Sequence, residues 1–129
     1  MIVDASALLA IILGEEDGDL YSRAIADEID DIFISPINFV EAAIKADKKG
    51  PQTGEALDEV MQVGAIKLAQ ITPTQAELAR EAYRKFGKGN HEARLNLGDC
   101  FAYALAKARS EKLLFKGDDF RQTDIEAVL

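Results

Sequence analysis

Cysteine is almost absent from this chain: Cys100 stands alone among 129 residues. One thiol builds neither a disulfide framework nor a cysteine-rich zinc site, and its solitude suits a reducing compartment. Histidine is as scarce, with His91 the only one. Long apolar runs are missing too. The longest, Ala5 to Leu13, falls short of the roughly 20 residues that span a bilayer, and it lacks the basic flank and cleavage site of a signal peptide. These absences predict a cytoplasmic protein. There is no repeat, low-complexity tract or linker either, so residues 1–129 read as a single domain able to bury its own core.

Positive charge is also in short supply, with a net charge of −8. That sum seems to exclude nucleic acid, but its distribution weakens the objection. Glu15 to Asp31 holds eight acids against Arg23, while Arg80 to Arg94 holds five basic residues against two acids. A basic edge on an acidic protein is compatible with phosphate binding.

What is present alternates. Ile2-Val3-Asp4 reads as a short buried strand, after which Ser6 opens an apolar helix, Ala7 to Leu13, closed by Gly14. A helix over Glu15–Asp31 has Leu20, Ala24, Ile25 and either Glu28 or Ile29 spaced for one face, and a strand follows at Ile32–Ile34. Ser35-Pro36 starts a helix to about Lys48 that is expected to bury Ile37, Val40 and Ile44. Gln52–Gln62 is helical, Ala65–Ile71 a strand with Ile66, Leu68 and Ile71 inside, and Thr72-Pro73-Thr74-Gln75 a capping box. The helix that follows turns Leu78, Ala82, Tyr83 and Phe86 inward. Lys88–Asn96 is a polar loop. Asn96 then caps a helix whose stripe is Leu97, Phe101, Ala104, Leu105 and Ala108. Leu113-Leu114-Phe115 is the last buried strand, and Thr123–Leu129 a short edge strand through Ile125 and Val128. The alternation predicts an α/β domain of three layers, α/β/α, around a central parallel sheet.

In that architecture four acids approach one sheet edge. Asp4 and Asp118 follow the carboxyl ends of strands, where open parallel sheets bind ligands. Glu41 and Asp99 ride helices that start near the same edge. Each has an ordinary reading: Asp4 as helix cap, Glu41 as an ion pair with Lys45, Asp99 as a charge matched to the helix dipole. Together they form a carboxylate cluster that needs a cation, and oxygen donors without histidine or cysteine suit Mg²⁺, with Mn²⁺ able to replace it.

The segments MIVDASALLAII, SPINFVEAAI, YRKFGKGNHEARLNLGDCFAYALAKA and LLFKGDDFRQTDI resemble the PIN-domain ribonucleases, in particular the VapC-type toxins of toxin–antitoxin pairs, over nearly the whole length. The resemblance implies Asp4, Glu41 and Asp99 as catalytic metal-binding acids. GDDF offers Asp118 and Asp119 for the fourth, and Asp118 is favoured because it is nearer the strand end. It further implies Mg²⁺- or Mn²⁺-dependent cleavage of RNA, inhibition by a cognate antitoxin whose basic tail could enter the acidic pocket, and homodimers. Ser6 and Asp119 are expected to hydrogen-bond behind the metal ligands, although Ser6 also suits a helix cap. Arg80, Arg84, Lys85, Lys88, His91 and Arg94 form a candidate RNA-facing edge, against the ordinary reading of solvated side chains. Cys100 reads as a packing group. A catalytically silent module, PIN-like or receiver-like, is the alternative. A receiver would need paired acids after the first strand, and only Asp4 is there.

Overall fold

The computed structural model describes residues 1–129. In chain order the elements are β1 (Ile2–Val3), α1 (Ala5–Ile12), α2 (Gly18–Asp27), β2 (Ile32–Ile34), α3 (Pro36–Lys49), α4 (Pro51–Val63), β3 (Ile66–Leu68), α5 (Pro73–Phe86), α6 (Leu97–Arg109) and β4 (Leu113–Leu114). The strands form one parallel sheet in the order β3-β2-β1-β4. Ile2 faces Phe33 on one side and Leu113 on the other, and Ile32 faces Ile66.

Alternation along these short strands feeds two cores. Val3, Ile32, Ile34 and Leu114 join Leu8, Ala42 and Leu57 beneath α1, α3 and α4. Ile2, Leu113 and Phe115 join Ala82, Leu105 and Tyr103 beneath α5 and α6. The expected three-layer α/β/α domain is thus the one observed. No helix is long and apolar enough to cross a membrane.

Several local expectations are corrected. Helix α1 begins at Ala5 with Asp4 as its N-cap, so Ser6 lies inside the helix instead of opening it. Helix α2 is shorter than Glu15–Asp31. The Glu15 N–H bonds back to the Ala10 carbonyl in a tight reversal, and at the far end the Glu28 carboxylate accepts the N–H groups of Ile29 and Asp30. Leu20 and Ile29 are consequently exposed.

Helix α3 turns differently from its predicted stripe. It touches α1, α4 and α6, and the face it buries is the small one, Asn38, Ala42 and Ala46, leaving Val40 and Ile44 half exposed. Leu97 is 71% exposed because it sits at the open mouth of α6, while nearly every later turn of that helix is covered. Leu68 and Ile71 are exposed because β3 is an edge strand. Tyr83 also turns outward, its hydroxyl donating to the Lys88 carbonyl. Half of the expected capping box forms: Thr72 accepts the Gln75 N–H, but the Gln75 amide donates to the Gln70 carbonyl. Instead of a full strand, the last residues make a single parallel bridge, Ala127 to Leu113, along the free edge of β4.

Candidate active site

Asp4 ends β1 and is 4% exposed. Its Oδ2 accepts the Ser6 N–H at 3.1 Å and the Ser6 hydroxyl at 2.6 Å. The same hydroxyl accepts the Lys116 N–H at 3.0 Å, so Ser6 fastens Asp4 to the segment leaving β4. Burial pushes the Asp4 carboxyl above its ordinary range, and the Ser6 bonds only partly offset this.

Glu41 is carried inward by the unexpected turn of α3. Lys45, one turn on, makes no ion pair with it at 4 Å or less, which sets aside the ordinary reading of Glu41. Its carboxyl is pushed up by burial first and by the Asp4 charge second, against weaker opposing pulls from Lys45 and Asn38. The carboxylate lies against Gly98 of α6: a Cβ there would stand 2.7 Å from Glu41 Oε2, so no other residue fits without a shift.

Asp99 occupies the first turn of α6 in a reciprocal cap. Asn96 Oδ1 accepts the Asp99 N–H at 2.9 Å, and Asp99 Oδ2 accepts the Asn96 N–H at 3.0 Å. Burial nevertheless drives its pKa up to about 7, over the lowering effect of the Asn96 bond, and the charges of Asp4, Glu41 and Asp119 add to the rise. Asp118 and Asp119 are exposed in the turn before a short 3₁₀ segment, Phe120–Gln122. Of the two, it is the charge of Asp119 that bears on Asp99.

The Asp4 charge thus raises Glu41, and both raise Asp99, so the three are electrostatic neighbours. They do not form a closed cage, since no three acidic, histidine or cysteine side chains stand at metal-holding spacing. The six basic candidates are not joined to them by any hydrogen bond or ion pair. Lys85 is paired with Glu81 at 2.7 Å. His91 turns Nδ1 to the Ala93 N–H and sets its ring edge-on to Phe86. Lys88 follows α5 on the exposed loop, and Arg94 is exposed with φ of 57°. Arg80 and Arg84 flank an apolar groove between α5 and α6.

A surface cavity of about 550 Å³ lies elsewhere, among Ile25, Ile32, Val60 and Ala65 at the opposite edge of the sheet, and none of the four acids lines it. The chemistry marks the site, not the volume. Asn38 and Gly98 are site residues that periodicity did not single out. The available signal for Asn38 was a polar residue one turn before Glu41.

A PIN-domain family model matches residues 1–126. The chain is a PIN-domain protein of the VapC ribonuclease family. It is 43% identical over 129 residues to Ribonuclease VapC of Mycolicibacterium smegmatis, covering 99% of both chains. It is 42% identical over 130 residues to Ribonuclease VapC30 of Mycobacterium tuberculosis, covering 99% of this chain and 98% of that one. A solved structure, the M. tuberculosis toxin VapC20, which is described as cleaving the sarcin–ricin loop, superposes with a TM-score of 0.79 at 17% identity, over 98% and 97% of the two chains. That last likeness is one of fold.

Proposed function

We propose that this VapC-family chain is the toxic endoribonuclease of a toxin–antitoxin pair, hydrolysing RNA phosphodiester bonds with Mg²⁺, or Mn²⁺ in its place. The observation that carries the reading is the state of Asp4, Glu41 and Asp99. All three carboxyls are pushed up, and none forms an ion pair within 4 Å; Lys45 only moderates Asp4 and Glu41 without pairing with either. By donor chemistry, though not by a closed spacing, an acid trio of this kind suits a hard divalent ion, which would relieve both burial and repulsion. Asp4, Glu41 and Asp99 would hold it, with a fourth acid from the GDDF turn. Strand position favours Asp118, whereas the charge acting on Asp99 favours Asp119. A bound divalent cation would supply Lewis acidity toward the scissile phosphate.

The chain's own part is placement. Ser6 orients Asp4, the Asn96 cap orients Asp99, and Gly98 lets the Glu41 carboxylate approach α6. A cytoplasmic setting, a homodimer and inhibition by a cognate antitoxin belong to the same proposal. The test is cleavage of total cellular RNA by purified, antitoxin-free protein with Mg²⁺ or Mn²⁺, with EDTA, and beside Asp99→Asn. Metal-dependent fragments absent from the variant are expected. Cleavage that persists in the variant would belong to a contaminating nuclease, and no cleavage with metal bound would favour the silent module.

A further inference from the structure

We propose that Asn38 is the positioning residue of this site, the joint that fixes the Asp4 and Asp99 carboxylates relative to Glu41. The inference rests on the metal-dependent reading above and concerns a residue to which that reading gives no role.

Asn38 is fully buried. Its Nδ2 donates to the Gly98 carbonyl at 2.9 Å and faces Asp4 Oδ1 at 3.5 Å. Both partners are acceptors, so the amide nitrogen must point at them and the carbonyl away. Facing away, Oδ1 finds no protein partner. In the whole chain only one other buried side-chain atom is in that position, Ser35 Oγ, one turn earlier at the start of α3. The unmet polar capacity of the interior is thus concentrated where β2 enters α3, directly beneath the acids.

A buried amide with an unpaired carbonyl costs stability; a leucine of similar size would remove that carbonyl but also take the donor away from the Gly98 carbonyl and the buried Asp4 carboxylate. What the amide gives in return is connection. It reaches Asp4 directly, Asp99 through the adjoining Gly98, and Glu41 both through the helical turn they share and through its side-chain pull on the Glu41 carboxyl. A Cβ at Gly98 would meet the Glu41 carboxylate at 2.7 Å, so α3 and α6 approach closely at the point that Asn38 bridges.

The experiment uses the whole purified chain and the variants Asn38→Leu and Asn38→Ser. Three quantities are read: Tm in EDTA, Mn²⁺ binding without RNA by loss of the free-ion electron paramagnetic resonance signal, and kcat and KM for RNA. Residues that orient metal ligands are worth about 10–100-fold in metal affinity. Asn38→Leu is therefore expected to fold with a modestly lowered Tm, to bind Mn²⁺ at least ~10-fold more weakly, and to lose kcat with KM unchanged. Asn38→Ser, which keeps a donor, should fall between, and it carries the test if the leucine variant does not fold. Wild-type Mn²⁺ affinity in folded Asn38→Leu, or a lowered Tm with unchanged affinity, overturns the inference alone. A wild type that neither takes up Mn²⁺ nor cuts RNA overturns the functional reading, and the inference with it.

Discussion

Two sets of carboxylates in this molecule are handled in opposite ways. Around the periphery several acids are held by a cation. Lys116 bonds Asp17 at 2.9 Å and also pairs with Glu15, Lys107 holds Asp124 at 2.6 Å, and Lys85 holds Glu81 at 2.7 Å. Asp17 and Glu81 are drawn below their ordinary range by those lysines, and Asp124 is too, although burial opposes it. At the carboxyl edge of the sheet Asp4, Glu41 and Asp99 are all raised, chiefly by burial. The fold can satisfy acids, and at this edge it does not. On the proposed function, a divalent ion would bring the positive charge that no ion pair supplies there.

The sharpest way to break the comparison is to remove a cleft acid. Asp4→Asn keeps the shape and the Ser6 contact while deleting a charge. Because residues merely orienting a metal ligand are worth about 10–100-fold, loss of a ligand itself should cost more than ~100-fold in RNA cleavage, measured under single turnover. A drop of only a few-fold would place Asp4 among the structural caps.

The cleft acids should also cost stability when no metal is present. The Asp99 pKa of about 7 lies above its ordinary 3.8. Between those values the folded chain holds a proton that the unfolded chain releases, so stability falls as pH rises from about 4 to 7 and stays low above it. At about 1.4 kcal/mol per pKa unit, reduced for the partly open position of the residue, Asp99→Asn should stabilise the metal-free protein at pH 8 by on the order of 2 kcal/mol. That gain should vanish near pH 4, and Mg²⁺ should raise the Tm of the wild type alone. Urea melts in EDTA at the two pH values decide it; equal stability at pH 8 would mean that Asp99 is no more burdened than Asp17.

How much of this was legible in the sequence follows from the same contrast. The parallel sheet was readable because Ile2-Val3, Ile32–Ile34 and Leu113-Leu114 are apolar on both faces, and Asp4 was readable because it follows the first of them. The reciprocal Asn96–Asp99 cap was written in local spacing. The face of α3 was not. Ile37, Val40 and Ile44 are the larger side chains and attract the eye, but a helix pressed on three neighbours buries Asn38, Ala42 and Ala46 instead. That rotation takes Glu41 inward and makes Asn38 part of the site, and it depends on α1, α4 and α6, none adjacent to Glu41 in sequence. The choice within Asp118-Asp119 was hidden for a related reason: strand position ranks the two by chain distance, whereas charge acts through space.

A smaller difference separates those two acids. If Asp119 is the fourth member of the cleft set, Asp119→Asn should reduce cleavage by about tenfold, or about 1.4 kcal/mol, while Asp118→Asn stays near wild type. The reverse ranking would restore the assignment made from strand position. Rates at saturating Mg²⁺, with Mn²⁺ binding beside them, separate the two.

The smallest effect belongs to the satisfied set. The Tyr103 hydroxyl donates to Asp124 Oδ1 at 2.7 Å, and Tyr103 is buried between α6 and the last segment of the chain. Tyr103→Phe removes that donor and little else, because Lys107 still holds the other carboxylate oxygen. The cost should be that of one hydrogen bond, about 1 kcal/mol, seen as a lower urea midpoint with an unchanged m-value. Cleavage and Mn²⁺ affinity should not move, since nothing joins Asp124 to the cleft. A change in either would mean that the final segment, which runs along the free edge of β4, transmits its position to the GDDF turn. The peripheral pairs would then serve the site as well as the fold.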